Sequence, residues 1–211
     1  MQDAGHGCQA EDAVNVLAAR IAGLTPKARR LMVAIVGAPG AGKSTLAEAL
    51  AGRIDGAAVV PMDGFHLDNA VLRSRGILDR KGAPESFDAD GFAALARRLA
   101  TEDAIAIPRF DRSRDLSVAG AAVIGPERIL LVEGNYLLLN RTPWSGLAPL
   151  WDFTVWLEVP LPVLEARLLD RWRRFGLDEA AAGARALGND IPNARLVCSA
   201  SRPADLVWPN A

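Results

Sequence analysis

The chain has very little cysteine, almost no net charge and no long apolar run, and each scarcity removes a class of protein. Cys8 and Cys198 are the two cysteines among its 211 residues, far apart and with no metal-like or redox-like partner beside either. A disulfide framework is thereby set aside, and reduced thiols in a cytosol are the expectation. Lys and Arg number 24 against 25 Asp and Glu, for a formal net charge of -1. Charges of both signs are interspersed, so there is no basic field of the kind that nucleic-acid or membrane-surface binding needs. No segment approaches the ~20 apolar residues of a membrane span. The N-terminus carries Asp3, Glu11 and Asp12 without a basic start, which does not read as an export signal. Repeats and low-complexity linkers are also missing. What is present is a chain that is 50% hydrophobic, ample for one cooperative α/β domain over residues 1–211.

Hydrophobic patterning divides that domain into elements. Val14, Leu17, Ala18, Ile21 and Leu24 recur at helical spacing and predict a short amphipathic helix in an N-terminal extension over residues 1–28. Continuous apolar runs at Leu31 to Val36, Ala57 to Pro61, Ile129 to Val132 and Phe153 to Leu157 predict strands, with a shorter one at Ala104 to Ile107. Helices are expected after Leu46, from about Asp88 to Ala100 with Asp88 or Asp90 as N-cap, and over Leu161 to Arg174. Gly76 to Ser86 reads as an irregular segment rich in glycine and proline. The alternation predicts a mostly parallel sheet covered on both faces, with ligands at the carboxyl ends of its strands.

The most informative segment is Gly37-Ala38-Pro39-Gly40-Ala41-Gly42-Lys43-Ser44-Thr45, which matches the phosphate-binding loop. Its glycines clear the Cβ atoms that would keep backbone N–H groups from wrapping a phosphate chain. Lys43 would reach the β- and γ-phosphates of a nucleoside triphosphate, and the Ser44 hydroxyl would ligate Mg²⁺. The strand before and the helix after fit this reading. A dinucleotide fingerprint fails, because Thr45 stands at the third-glycine position and the lysine would have no role.

Three further groups could act on a phosphate held there. Asp63, twenty residues after Lys43, would face the γ-phosphate if its strand lies beside the first, and could take the proton of an attacking hydroxyl; the bland alternative is an Asp-Gly turn. Glu133 ends an apolar strand, the arrangement in which a carboxylate holds Mg²⁺, with a helix cap as the alternative. Arginines cluster at 73–80, 109–114 and 167–174, and Arg171 and Arg173 are candidates to close over the phosphates from a helical lid at about 161–188. Others are ordinary surface, as the spacing of Asp170 and Arg174 suggests. His66 could hydrogen-bond an acceptor hydroxyl or be structural, and Trp144, Trp151, Trp156 and Trp172 read as packing residues.

The ordered set of motifs resembles the phosphoribulokinase, uridine kinase and bacterial pantothenate kinase family of P-loop kinases. It comprises the phosphate loop, Met62-Asp63-Gly64-Phe65-His66, the run from Arg80 to Asp88, Pro108-Arg109-Phe110-Asp111-Arg112-Ser113 and Val132-Glu133-Gly134-Asn135-Tyr136-Leu137-Leu138. The resemblance covers about Val33 to Val197. It implies a three-layer α/β/α fold with a lid, ATP and Mg²⁺, Asp63 as base, and Glu133 at the metal. It also implies Asn193, in the segment Asn189 to Asn193, near the adenine, and Glu85 and Asp88 as ligands of the acceptor's hydroxyls. Arg109 and Arg112 belong to the acceptor side as well. The motifs are most similar to a bacterial branch whose members are called fructokinases or fructose transport system kinases. The implied acceptor is a small molecule with a hydroxyl group, a sugar such as fructose first and a nucleoside or pantothenate-like compound second. Phe110 departs from the tyrosine of many relatives, and Phe175-Gly176-Leu177 stands where uridine kinases have a further basic pair.

Neither nucleic acid nor membrane insertion is expected, and a homodimer is left open. Two rivals come from other classes. A GTP-binding switch is suggested by Asp88-Ala89-Asp90-Gly91, but there is no guanine-reading Asn-Lys-x-Asp segment. A nucleotide-binding regulatory subunit without catalysis is the other.

Overall fold

The structure, a computed structural model, describes residues 3–210. Helix α1 (Asp3–Ala22) buries Leu17, Ala18 and Ile21 and packs on α2 (Lys43–Ala51). Strand β1 (Leu31–Gly37) is buried along its whole length, as a continuous apolar run at the centre of a sheet must be. It is flanked by β5 (Ile129–Gly134) and β6 (Phe153–Glu158), with β2 (Ala57–Pro61) and β7 (Leu206–Pro209) at the edges. The order is β2-β5-β1-β6-β7 and every pairing is parallel.

Two cores follow from the period of two along the central strand. Met32, Ala34 and Val36 join Phe92, Leu95 and Leu99 of α4 (Ala89–Thr101), Trp144 and Leu147 of a 3-10 segment (Trp144–Leu150), and Val197 of α7 (Ile191–Ala200). Leu31, Val33 and Ile35 join Leu17, Ile21, Leu46 and Leu50 on the other face, with Leu164 and Leu168 of α5 (Leu161–Arg174). Helices therefore cover both faces, in the three-layer α/β/α arrangement that the sequence predicts.

One excursion from this frame matters for function. The predicted short strand at Ala104 to Ile107 is longer, β3 (Ile105–Asp111), and lies outside the main sheet, paired antiparallel with β4 (Leu116–Ile124). The strand passes through Pro108 because its register shifts between Ile107 and Arg109, an irregularity that tolerates the missing N–H. Between β2 and α4 the chain runs through a 3-10 turn (Met62–Phe65), α3 (Asn69–Ser74) and two more 3-10 turns (Leu78–Arg80 and Pro84–Ser86). After α5 come α6 (Glu179–Arg185) and a π turn (Ala186–Asp190) that runs on into α7. Asp88 caps α4, accepting a hydrogen bond from Gly91 N at 2.9 Å. The acid-x-x-glycine element is thus a helix start, unlike the strand end that a switch protein needs.

Candidate functional site

Because β5 lies between β1 and β2, three strand ends converge. In register, Ile35 and Pro61 both pair with Glu133, and Val36 pairs with Gly134. The phosphate loop leaves β1 and enters α2 through Gly40 at φ 80° and Gly42 at φ 88°, backbone that L side chains rarely adopt. No side chain caps α2, so its N-terminal N–H groups stay directed at the loop. Ala38, Pro39 and Ala41 are buried beneath the loop, while Ser44 and Thr45 are exposed. Lys43 is 8% exposed and donates to Ala38 O at 3.0 Å. Burial lowers its pKa, and the nearby carboxylates of Glu133 and Asp63 oppose that shift.

Glu133 is the penultimate residue of β5 and is buried. Its Oε1 accepts a hydrogen bond from Ser44 Oγ at 3.2 Å. Burial and then the charge of Asp63 push its pKa up, against the pull of Lys43 and Ser44. Asp63 lies in the 3-10 turn after β2, and its Oδ2 accepts from Arg112 Nη2 at 2.7 Å. The turn reading holds at the same residue, since His66 N donates to Asp63 O at 3.1 Å. Gly64 lets β3 approach: a Cβ there would lie 2.5 Å from the Pro108 carbonyl oxygen. The hairpin can thereby bring Arg112 to Asp63.

Beyond Asp63, residues of the segment after β2 pack against the β3–β4 hairpin. The His66 ring stacks on Phe87 at 4.0 Å and lies 4.7 Å from Phe110. Burial lowers its pKa to about 4, so the imidazole is neutral near pH 7, and among the described residues the buried Nδ1 has no hydrogen-bond partner. Lys81 is buried and binds Asn69 Oδ1 at 2.8 Å and Asp115 Oδ1 at 2.9 Å, with its Nζ 5.0 Å from the Phe110 ring centroid. Three residues singled out in the sequence stand apart from this group. Glu85 pairs with Arg80 at the surface, the Asp88 carboxylate is engaged as a helix cap, and Arg109 is exposed on β3.

The two arginines of α5 singled out in the sequence differ in their surroundings. Arg171 is half-buried, and the charges that act on it include those of Arg112, Asp190 and Asp63. Arg173 pairs with Glu179 in solvent at 2.5 Å. A cavity of about 420 Å³ is lined by Arg167, Asp170, Arg171, Arg174 and Phe175, along one face of α5. Asn193 is buried and donates to Asn189 Oδ1 at 3.3 Å, while Asn189 donates to Lys81 O at 2.9 Å. That pair therefore reaches toward the segment around Lys81.

No family model matches the chain. A Schizosaccharomyces pombe protein named "putative uridine kinase" is 35% identical over 187 residues, spanning 80% of this chain and 78% of that one. A pantothenate kinase of Limosilactobacillus fermentum is 32% identical over 170 residues, 73% of this chain and 53% of its own. A solved structure from Silicibacter sp. TM1040, described as a "putative fructose transport system kinase", superposes with a TM-score of 0.89. It is 49% identical and covers 93% of this chain and 98% of that one. The chain belongs to the P-loop kinases of the uridine kinase and pantothenate kinase type.

As a P-loop kinase it is an ATP-dependent phosphotransferase, and its residues fit a magnesium ion beside the nucleotide. Ser44 and Glu133 offer hard oxygen donors on facing elements, and among the described residues the buried Glu133 carboxylate has no ion-pair partner in contact. Among the described residues no cluster of three or more acidic, histidine or cysteine side chains could cage a metal alone. Mg²⁺ keeps waters and takes further ligands from substrate phosphates, so two protein oxygens fit it.

The kinase also uses residues that sequence reasoning passed over. Asn210 Nδ2 donates to Ala41 O at 2.7 Å, and Arg167 Nη1 donates to Asn210 O at 3.0 Å, so the residue after β7 ties the phosphate loop to α5. A four-residue edge strand followed by a single asparagine carries no periodic signal by which to find it. No helix among the described residues is long and apolar enough to cross a membrane.

Proposed function

We propose that this kinase transfers the γ-phosphoryl group of ATP to an alcohol hydroxyl of a small sugar such as fructose. The observation that carries the reading is the placement of Asp63. It follows β2 directly, beside the Glu133 and Lys43 whose titration it perturbs, with one oxygen held by Arg112. Asp63 accepts the proton of the acceptor hydroxyl as its oxygen attacks phosphorus. Lys43 turns from Ala38 O to the β- and γ-phosphates, and Arg171 meets the charge that spreads over the transferring group. Magnesium held by Ser44 and Glu133 would neutralise phosphate charge when bound.

The acceptor wall supports a polyol. His66 carries a buried Nδ1 with no hydrogen-bond partner among the described residues, and Asn69, Lys81 and Arg112 add polar groups on the same side. The resemblance to the Silicibacter protein points the same way. A nucleoside would stack its base on an aromatic face, and the Phe110 ring already has Lys81 Nζ and the His66 ring against it. The scarcity of cysteine supports a cytoplasmic location.

The test is ADP release with ATP and Mg²⁺ against fructose, other hexoses, nucleosides, ribulose 5-phosphate and pantothenate. Stimulation by fructose above the others supports the reading. Stimulation by a nucleoside or pantothenate alone moves the acceptor to the second class.

A further inference from the structure

Arg185, at the last turn of α6, lies far in sequence from the acceptor-side segment that it touches. Its Nη1 donates to Asp79 O at 3.0 Å and its Nη2 to Lys81 O at 3.0 Å, a two-pronged grip on the end of a 3-10 turn. Asn189 adds a second donor to the same Lys81 carbonyl at 2.9 Å. The turn's own backbone bonds end on the carbonyls of Ile77, Leu78 and Arg80. Those of Asp79 and Lys81 are left for Arg185 and Asn189; Asp79 is exposed, whereas Lys81 is buried, and a buried carbonyl without a donor is costly.

The other end of the grip leads to the phosphate side. The Arg185 guanidinium lies 5.2 Å from the Trp172 ring, and Trp172 Nε1 donates to Asp190 Oδ2 at 2.6 Å. Trp172 is the chain neighbour of Arg171, whose charge feels Asp190 and Asp63. On the acceptor side, the Lys81 side chain holds Asp115 at the tip of the hairpin that also bears Arg112. The body of the protein holds the segment too: Gly82 O accepts from Tyr136 Oη at 2.6 Å, Gly82 N donates to Ser86 Oγ at 2.8 Å, and Ala83 is buried. One continuous set of contacts therefore runs from Arg171 through Trp172, Arg185 and Lys81 to the groups around Asp63.

We infer that Arg185, with Asn189, is a positioning residue that couples the lid to the acceptor-side segment 79–83, so that nucleotide on the phosphate loop orders the acceptor wall. The inference rests on the kinase reading of the phosphate loop. It differs from mere stabilisation in one respect: the order of segment 79–83 depends on nucleotide only while the grip is intact. By linkage, the acceptor raises nucleotide affinity by the same factor.

The experiment is amide hydrogen exchange of the full chain, with and without a Mg²⁺-bound non-hydrolysable ATP analogue. The wild type is compared with Arg185→Ala and with Arg185→Lys, which keeps length and charge and loses the fork. In the wild type the analogue slows exchange at the Arg80, Lys81 and Ala83 amides by about tenfold, within the usual range of coupling between sites. Both variants lose that slowing, while the analogue still protects the first turn of α2. Equal slowing in wild type and variants overturns the proposal, as does an analogue that protects α2 and leaves residues 80–83 of the wild type unchanged. If the analogue fails to protect α2 of the wild type, the kinase reading falls and this proposal with it.

Discussion

Arg112 Nη2 stands 2.7 Å from Asp63 Oδ2, so the carboxylate proposed as the base is held by a guanidinium from a hairpin outside the main sheet. Both partners are partly open to solvent, with side chains 49% and 26% exposed. The pair is therefore worth about 0–1 kcal/mol to stability. Its value is orientation: the contact fixes one carboxylate oxygen and leaves the other for the acceptor. Arg112→Ala is expected to lower kcat about 10–100-fold through lost alignment, with unfolding free energy changed by less than about 1 kcal/mol. Steady-state kinetics and urea unfolding on the same preparation check both numbers.

Arg171 and Arg173 are two residues apart and are expected to behave differently. Arg171 faces the field of Asp63, Asp190 and Arg112, whereas Arg173 is tied to Glu179 in solvent. Arg171→Ala should reduce kcat by about 10²–10³-fold, the range for losing a charge-stabilising donor. Arg173→Ala should leave it within about threefold, as exposed ion pairs contribute little. Equal losses would show that the lid uses both.

Glu133 makes the folded state sensitive to pH. Burial raises its pKa above the ordinary value of 4.5, so the native state holds a proton that the unfolded chain releases. The unfolded state then binds fewer protons, and stability falls as pH rises from about 4.5 through the raised value. Glu133→Gln should remove that slope and make the nucleotide-free protein more stable at neutral pH, while activity in Mg²⁺ drops. Urea titrations of wild type and variant at a series of pH values measure the difference.

His66 titrates in the opposite sense. Its folded pKa is about 4 against 6.5 ordinarily, because burial disfavours the imidazolium. The unfolded chain takes up the proton first, so His66 makes stability rise with pH between about 4 and 6.5 and contributes no slope above that. NMR of the imidazole protons should show a neutral ring at pH 5. A midpoint near 6.5 would contradict the packing against Phe87 and Phe110.

Much of this was legible before the fold was known, for physical reasons that differ by element. Buried parallel strands such as Leu31–Gly37 announce themselves as unbroken apolar runs, and β2 begins and ends where the apolar run does, at Ala57 and Pro61. The phosphate loop is legible because one backbone conformation needs its glycines. Strand β4 was not, since it is half-exposed, interrupted by Gly120 at φ 64°, and paired in a hairpin whose register breaks beside Pro108. The contacts of Asn210 and Arg185, and the bond that Asn189 makes, were hidden for another reason. Each acts through a backbone carbonyl distant in sequence, and a carbonyl has no residue type to read. Asp88 shows the converse: its residue type suits both a ligand and a helix cap, and only its bond to Gly91 N shows which group it serves here.

The central claim is that Asp63 acts as the base at a nucleotide site that binds without it. The most direct measurement is acceptor-dependent ADP release by Asp63→Asn beside the wild type, with nucleotide affinity determined by calorimetry on the same samples. The account predicts a loss of about 10²–10⁴-fold in kcat, with affinity for Mg²⁺-ATP unchanged within about threefold. Retained acceptor phosphorylation in Asp63→Asn would contradict it.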